Sequence, residues 1–318
     1  MKAYLDILKN CLENGTKSDN RTGIPTIRIP WGATFEHDMS KGFPLITTKF
    51  TPLKTISTEL EFFINGFTDK KWLQDRNCKI WNEWASEPSW QPLYEKRLNE
   101  ARKSGIIVTE AKDKEIKESA MSDTRDLGPV YGWQWRHWNG KYVWNPEKPE
   151  LNYNLDRPGF DQLKNVINTA RKNPNDRRLI VSAWNPVDQP RMALPPCHYC
   201  WQILILNNKL NLIWNQRSCD MFLGIPFNIA SYAMLLLLLA KELGYEPGVL
   251  RGNWGDVHIY ENHIDQVKEQ LSRTPYELPQ VAINNENWNG IFNWHADGGY
   301  KYLTKYLRHE QLQGDVAR

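Results

Sequence analysis

The stretch from Leu194 to Leu243 constrains the fold of this chain more than any other. Residues 199–206 and 210–216 are rich in Ile, Leu, Tyr and Trp and read as two strands. Asn207-Asn208 between them tolerates the positive φ of a tight hairpin. A helix is expected at 228–243, built around the apolar run from Ile229 to Ala240. That run contains Ser231 and Tyr232 and is too short to span a bilayer, so it reads as a helix buried in a core. Just ahead of the first strand stands Leu194-Pro195-Pro196-Cys197-His198. Two prolines stiffen the backbone and place Cys197 firmly at the strand entrance.

The rest of the chain fits one sheet covered by helices. Tyr4, Ile7, Leu8, Cys11 and Leu12 recur at helical spacing, and Gly15 follows as a stop. Residues 25–37 are strand-like, but Pro30 and Gly32 predict a bulged or edge strand. Helices are expected at 53–64 and 261–272, and a strand at 179–184. Residues 86–125 are rich in Lys and Glu and amphipathic around 94–103, which predicts a helical surface insertion. The mixed order of strands and helices predicts the α+β class with one main mixed sheet.

Composition narrows the partners. A net charge of +3 over 318 residues gives no reason to expect nucleic acid as the main partner. Five scattered cysteines argue against a disulfide framework and for a reducing, cytoplasmic setting. The N-terminus lacks the apolar run of a signal peptide, and no membrane partner is expected. Most of the fifteen tryptophans are expected in the core.

A lone cysteine is usually a small buried hydrophobe. The Pro195-Pro196-Cys197-His198 context overturns that reading, and Arg217-Ser218 follows twenty residues later. A guanidinium near a thiol favours the thiolate, which is the nucleophile. A guanidinium beside a hydroxyl also grips phosphate. Cys197 and Cys200 form a CxxC, open to a redox or half-zinc reading. Only one such pair exists and alternation along a strand would part its side chains, so no metal is expected.

Longer motifs carry a resemblance. They are Asp19-Asn20-Arg21-Thr22-Gly23, Gly42 to Lys49, Ile80-Trp81-Asn82-Glu83-Trp84, Leu127 to Gly132, Asp176 to Asn185, Gln216 to Tyr232, and Gly255 to His263. In this order they resemble the thymidylate synthase family over nearly the whole chain. The resemblance implies one catalytic domain over 1–318, interrupted by the insertion, in a homodimer packed through the sheet with shared active sites. It implies dUMP as substrate and 5,10-methylenetetrahydrofolate as cosubstrate.

Residue by residue, Cys197 matches the nucleophile that adds to C6 of the uracil ring, and Arg217 the group that steadies its thiolate. Glu59 matches the general acid/base, and Tyr131 the tyrosine beside C5. Arg21, Arg177, Arg178, Arg217 and Ser218 resemble the phosphate set, with the Arg177-Arg178 pair lent by the partner subunit. Asn228 matches the amide that reads O4 and N3–H; relatives using cytosine nucleotides carry Asp there. His258 and Tyr260 match the pair on the 3′-hydroxyl. Asp220 matches the carboxylate on the pterin, and Lys49, Trp81, Trp84 and Gly224 belong to the implied folate pocket.

Five positions depart from the synthase pattern. Glu61 interrupts an apolar run, Phe50 replaces a basic residue after Lys49, Trp133 follows Tyr131-Gly132, Asn215 precedes Gln216, and the chain ends Val316-Ala317-Arg318. Glu61, Trp133 and Asn215 resemble the phage deoxycytidylate hydroxymethylase branch of the family. Extra polar groups and a charged terminus favour admitting water where a synthase keeps a dry site. The leading expectation is therefore a dUMP hydroxymethylase making 5-hydroxymethyl-dUMP, which would point to a phage. The alternative is thymidylate synthase, a methyltransferase making dTMP and dihydrofolate. A non-catalytic binding protein on the same fold is the reading from another class, and the intact set of Cys197, Glu59, Arg217 and Asn228 argues against it.

Overall fold

The computed structural model describes residues 1–145, 147 and 156–316. Its contacts divide the chain into two compact units. The first comprises residues 1–60, 165–181 and 197–318, and the second residues 61–164 and 182–196.

The first unit is built on a seven-stranded mixed sheet. Its elements run α1 (Lys2–Asn14), β1 (Thr16–Ser18), β2 (Thr26–Ile29), β3 (Ala33–Asp38) and α2 (Leu53–Ile64, whose last residues enter the second unit). After the second unit's α3 (Lys70–Gln74), α4 (Glu87–Lys103), α5 (Glu110–Asp123) and α6 (Tyr131–Arg136) come α7 (Gln162–Lys172) and β4 (Ile180–Ser182). The chain closes with β5 (His198–Leu206), β6 (Lys209–Asp220), α8 (Gly224–Leu243), β7 (Glu246–Tyr260), α9 (Ile264–Ser272), β8 (Val281–Ile283) and β9 (Tyr300–Tyr302). The strand order is β1-β2-β7-β6-β5-β4, with β3 also paired to β7.

The hairpin forms where the sequence places it. Asn207 and Asn208 have φ of 50° and 60°, the pair of positive values a two-residue type I′ turn needs. β6 then pairs with β7 in parallel, which a tight turn cannot achieve, so α8 makes the crossover. α8 is 20 residues long, longer than its apolar run, and by length and composition alone it could cross a membrane. Yet 72% of its apolar 18-residue stretch is buried within the fold. Tyr232 on α8 stacks on Trp214 of β6, with ring centroids 5.1 Å apart and planes at 8°.

Strand 25–37 splits at the predicted interruption. Ile29 pairs with Val257 and Ala33 with Trp254, so one extra residue bulges out at Pro30–Gly32. Gly32 has φ +68°, and a Cβ there would lie 2.1 Å from the Trp254 carbonyl oxygen. Trp31 in this bulge is 76% exposed, an exception to the expected burial of the tryptophans.

In the second unit, residues 86–125 hold α4 and α5, so the segment is helical as expected. Tyr94 donates to Asp113 at 2.6 Å and Arg97 to Ser119 at 2.8 Å, tying the two helices together. Ser86 N–H donates to the Asp126 carbonyl at 2.8 Å, closing the base of the insertion.

Candidate active site

Cys197 immediately precedes β5, and its carbonyl accepts the Arg217 N–H of β6 at 2.9 Å. This backbone bond brings the two side chains together: Arg217 Nη2 lies 4.0 Å from Cys197 Sγ. His198 opposes Gln216 and Cys200 opposes Asn215, so Tyr199 is an inserted residue and the CxxC spans a bulge. Burial raises the Cys200 thiol, against a hydrogen bond from Asn215. Among the described residues no group of three or more His, Cys, Asp or Glu side chains could hold a metal ion.

A polar chain runs from this hairpin to α8. Trp214 Nε1–H donates to Gln216 Oε1 at 3.1 Å. Gln216 Nε2 then donates to the Ser218 carbonyl and to Asn228 Oδ1, both at 2.9 Å. The donor role of Gln216 fixes which end of the Asn228 amide is oxygen, leaving its NH₂ as the donor end. Behind Cys197, burial pulls His198 down to about 3, so it stands neutral. Its Nδ1 lies 3.0 Å from the Tyr232 hydroxyl, on which the half-buried Glu59 of α2 also acts electrostatically.

The end of β7 supplies the next group. Asp256 makes two hydrogen bonds of 2.8 Å with Arg28 and lies 3.6 Å from His258 Nδ1. Burial would lower the His258 pKa, but the Asp256 hydrogen bond and the charges of Asp220 and Asp256 raise it instead. Burial raises Tyr260, and Asp220, Arg21 and Cys197 all act on its hydroxyl. Arg21 is exposed on a turn shaped by Asn20, whose Oδ1 accepts from Thr22 N and whose Nδ2 donates to Ile24 O at 2.6 Å.

Asp220 Oδ1 accepts the N–H groups of Phe222 and Leu223 at 3.0 and 3.1 Å, which locks the carboxylate at the start of α8. A Cβ on Gly224 would sit 3.6 Å from Asp220 Cβ and 3.7 Å from Asn228 Oδ1. Both are ordinary van der Waals distances, so Gly224 lies between the two side chains without a steric demand for glycine. A carboxylate held in this way suits a donor-bearing heterocycle such as a pterin. Lys49 is buried; its Nζ donates to the Phe222 carbonyl and lies 3.7 Å from that ring's centroid. Burial pulls its pKa down to about 7, with Asp220 opposing. A basic group that sequence reasoning missed is Arg308, whose guanidinium stacks 4.6 Å from the Phe50 ring and 5.2 Å from Tyr306. Nothing near Phe50 in sequence announces it.

Arg177 and Arg178 are exposed on the turn before β4. The Arg178 side chain is 88% exposed and pairs with Asp176 at 3.0 Å. Tyr131, Trp81 and Trp84 belong to the second unit. There Tyr131 stacks on Phe63 at 4.9 Å, and Trp81 meets both rings edge-on at 6.1 and 6.5 Å. Trp84 is half-buried, with its N–H on the Trp81 carbonyl at 3.1 Å. Of the five departures, Trp133 is a core residue packed at 4.7 Å on His137 and 4.8 Å on Tyr142. Asn215 accepts from Asn253 Nδ2 at 3.2 Å, and Glu61 is 3% exposed. Val316 is exposed, and Arg318 lies outside the described residues.

The fold is that of a folate-dependent pyrimidine-modifying enzyme: the chain belongs to the thymidylate synthase family, whose model, described as "Thymidylate synthase", matches residues 2–318. The family uses methylenetetrahydrofolate as cosubstrate. The thymidylate synthase of Mycoplasma genitalium is 42% identical over 322 residues, covering 100% of each chain. That of Listeria monocytogenes serotype 4b is 42% identical over 300 residues, covering 90% of this chain and 91% of the relative. The thymidylate synthase of Listeria innocua is 41% identical over 300 residues, with the same shares covered. These names favour the synthase over the hydroxymethylase expectation, and neither that branch nor a phage source finds support among them.

Proposed function

We propose that this chain is a thymidylate synthase that methylates dUMP at C5, giving dTMP and dihydrofolate. The observation that carries the reading is the Cys197–Arg217 pair at 4.0 Å beside an Asn228 amide held in one orientation by Gln216. Arg217 favours the Cys197 thiolate, which adds to C6 and turns C5 into a carbon nucleophile. Asn228 presents its NH₂ to O4 and its oxygen to N3–H, matching uracil and not cytosine. Arg21, Arg217 and Ser218 take the phosphate, and His258 and Tyr260 the 3′-hydroxyl. Glu59 exchanges protons at the ring, and Tyr131 takes the role of the family's tyrosine at C5. Asp220, Gly224, Trp81, Trp84 and Lys49 hold the folate, which supplies the one-carbon unit and the hydride that reduces it to a methyl group.

The exposure of Arg177 and Arg178 suits residues lent to a second copy, so the working form is a homodimer with shared sites in the cytoplasm. Against the hydroxymethylase reading stand the names of the relatives and the place of Trp133 in the core. The test is product analysis. Synthase activity makes dihydrofolate and dTMP in equal amounts, read by dihydrofolate absorbance and nucleotide mass. A product heavier than dTMP by one oxygen, with no dihydrofolate formed, would overturn the proposal.

A further inference from the structure

Lys70 opens α3 and is 1% exposed, the kind of buried cation that needs full compensation. Its ammonium has three protons to donate. They go to the carbonyls of Asn82 at 2.8 Å, Trp84 at 3.0 Å and Met121 at 2.8 Å. Two of these acceptors sit in the turn that carries Trp81 and Trp84. The third belongs to the last turn of α5, whose carbonyls have no partner within the helix. α5 has no basic residue of its own in that turn, and Lys70 supplies one from outside. Burial lowers the Lys70 pKa to about 8, and Asp123 and Asp69 hold it up against that pull. Asp123 is itself tied to α4 through Arg97 at 2.5 Å, so the cation meets a braced hairpin.

We propose that Lys70 is a positioning residue that latches the inserted α4–α5 hairpin to the Trp81–Trp84 turn, making the insertion a determinant of folate affinity. The proposal rests on the folate-binding role given above to Trp81 and Trp84. Without the ammonium, three half-buried carbonyls lose this donor and the turn loses its link to α5.

The experiment uses the full chain with Lys70→Met, and with Lys70→Gln, which keeps two donor protons. Amide hydrogen exchange should speed up at 79–86 and 117–124 together and stay unchanged at 194–220. The KM for methylenetetrahydrofolate should rise about tenfold in Lys70→Met and less in Lys70→Gln, while the Kd for dUMP stays within about twofold. A purely structural lysine would lower Tm and leave the folate KM alone, and that result overturns the proposal. Faster exchange confined to 117–124 overturns it as well. If Lys70→Met fails to fold, the same readings on Lys70→Gln decide. Should the wild-type product prove hydroxymethylated, the synthase reading fails, yet exchange and folate KM still judge the latch, since both reactions consume the same folate.

Discussion

Asn228→Asp tests how the pyrimidine is read. Gln216 Nε2 donates to Asn228 Oδ1 at 2.9 Å, and a carboxylate accepts that bond equally well. The polar chain from Trp214 through Gln216 should survive, and Tm should move by no more than a few degrees. What changes is the other end of the side chain. An NH₂ that donates to O4 of uracil becomes an oxygen facing an oxygen. Leaving such a group mispaired costs about 1–3 kcal/mol. At about 1.36 kcal/mol per tenfold, kcat/KM for dUMP should fall roughly tenfold to hundredfold. The cytosine edge presents a donor at C4, so kcat/KM for dCMP should hold or rise, and the dUMP/dCMP ratio should drop by at least about tenfold. Steady-state kinetics on both nucleotides measures this directly. An unchanged ratio in a folded variant would refute the assignment of base reading to Asn228 and the role given to Gln216.

Cys197→Ser should cut turnover by at least about 10³-fold while dUMP still binds, because the hydroxyl is a weak nucleophile and the phosphate contacts remain; calorimetric titration beside kinetics checks both halves. Mixing Arg177→Ala/Arg178→Ala chains with Cys197→Ser chains should restore part of the activity, since one hybrid site would be complete; verified mixed dimers that stay dead would remove the arginine pair from the partner's site. Acidification should expose the cost of His198. Its folded pKa of about 3 lies below its ordinary value, so the unfolded chain gains a proton that the folded one refuses. Stability from this group therefore falls as pH drops from about 6.5 towards about 3, and His198→Gln should flatten that part of the Tm–pH curve.

Local chemistry made much of the first unit legible. The Asn207-Asn208 turn, the strands on either side and the buried helix all follow from residue type and period. The Cys197–Arg217 neighbourhood follows from that hairpin. β7 was not legible. Pro247, Gly248, Gly252 and Gly255 disfavour a strand locally, and none is expected here from sequence, yet Glu246–Tyr260 is one strand. Gly252 is there because a Cβ would come within 2.4 Å of Trp254 Nε1 and 2.8 Å of Trp214, a packing demand that no local signal carries. Lys70 was hidden for a similar reason. A lysine at a helix start reads as solvated until three carbonyls from distant segments converge on it. The departures at Trp133 and Asn215 suggested chemistry because side-chain type was visible and packing was not.

The pairing of β2 with β7 sets a timetable for making this protein. Thr26 finds its partner at Tyr260, and β3 likewise waits for residues 249–254. During synthesis at about 5–20 residues per second, the edges of these early strands that face β7 stay open for roughly 10–50 s, although β1 can already pair with β2. The β5–β6 hairpin can close within itself about 2–8 s before that, but the strand that joins it to the N-terminal half cannot form until α8 has been made. A ribosome stalled before residue 246 would thus hold out a chain with several open strand edges and an apolar helix, a target for chaperones and for self-association. The bulge at Pro30–Gly32, which interrupts those waiting strands, also keeps them from presenting one long straight edge.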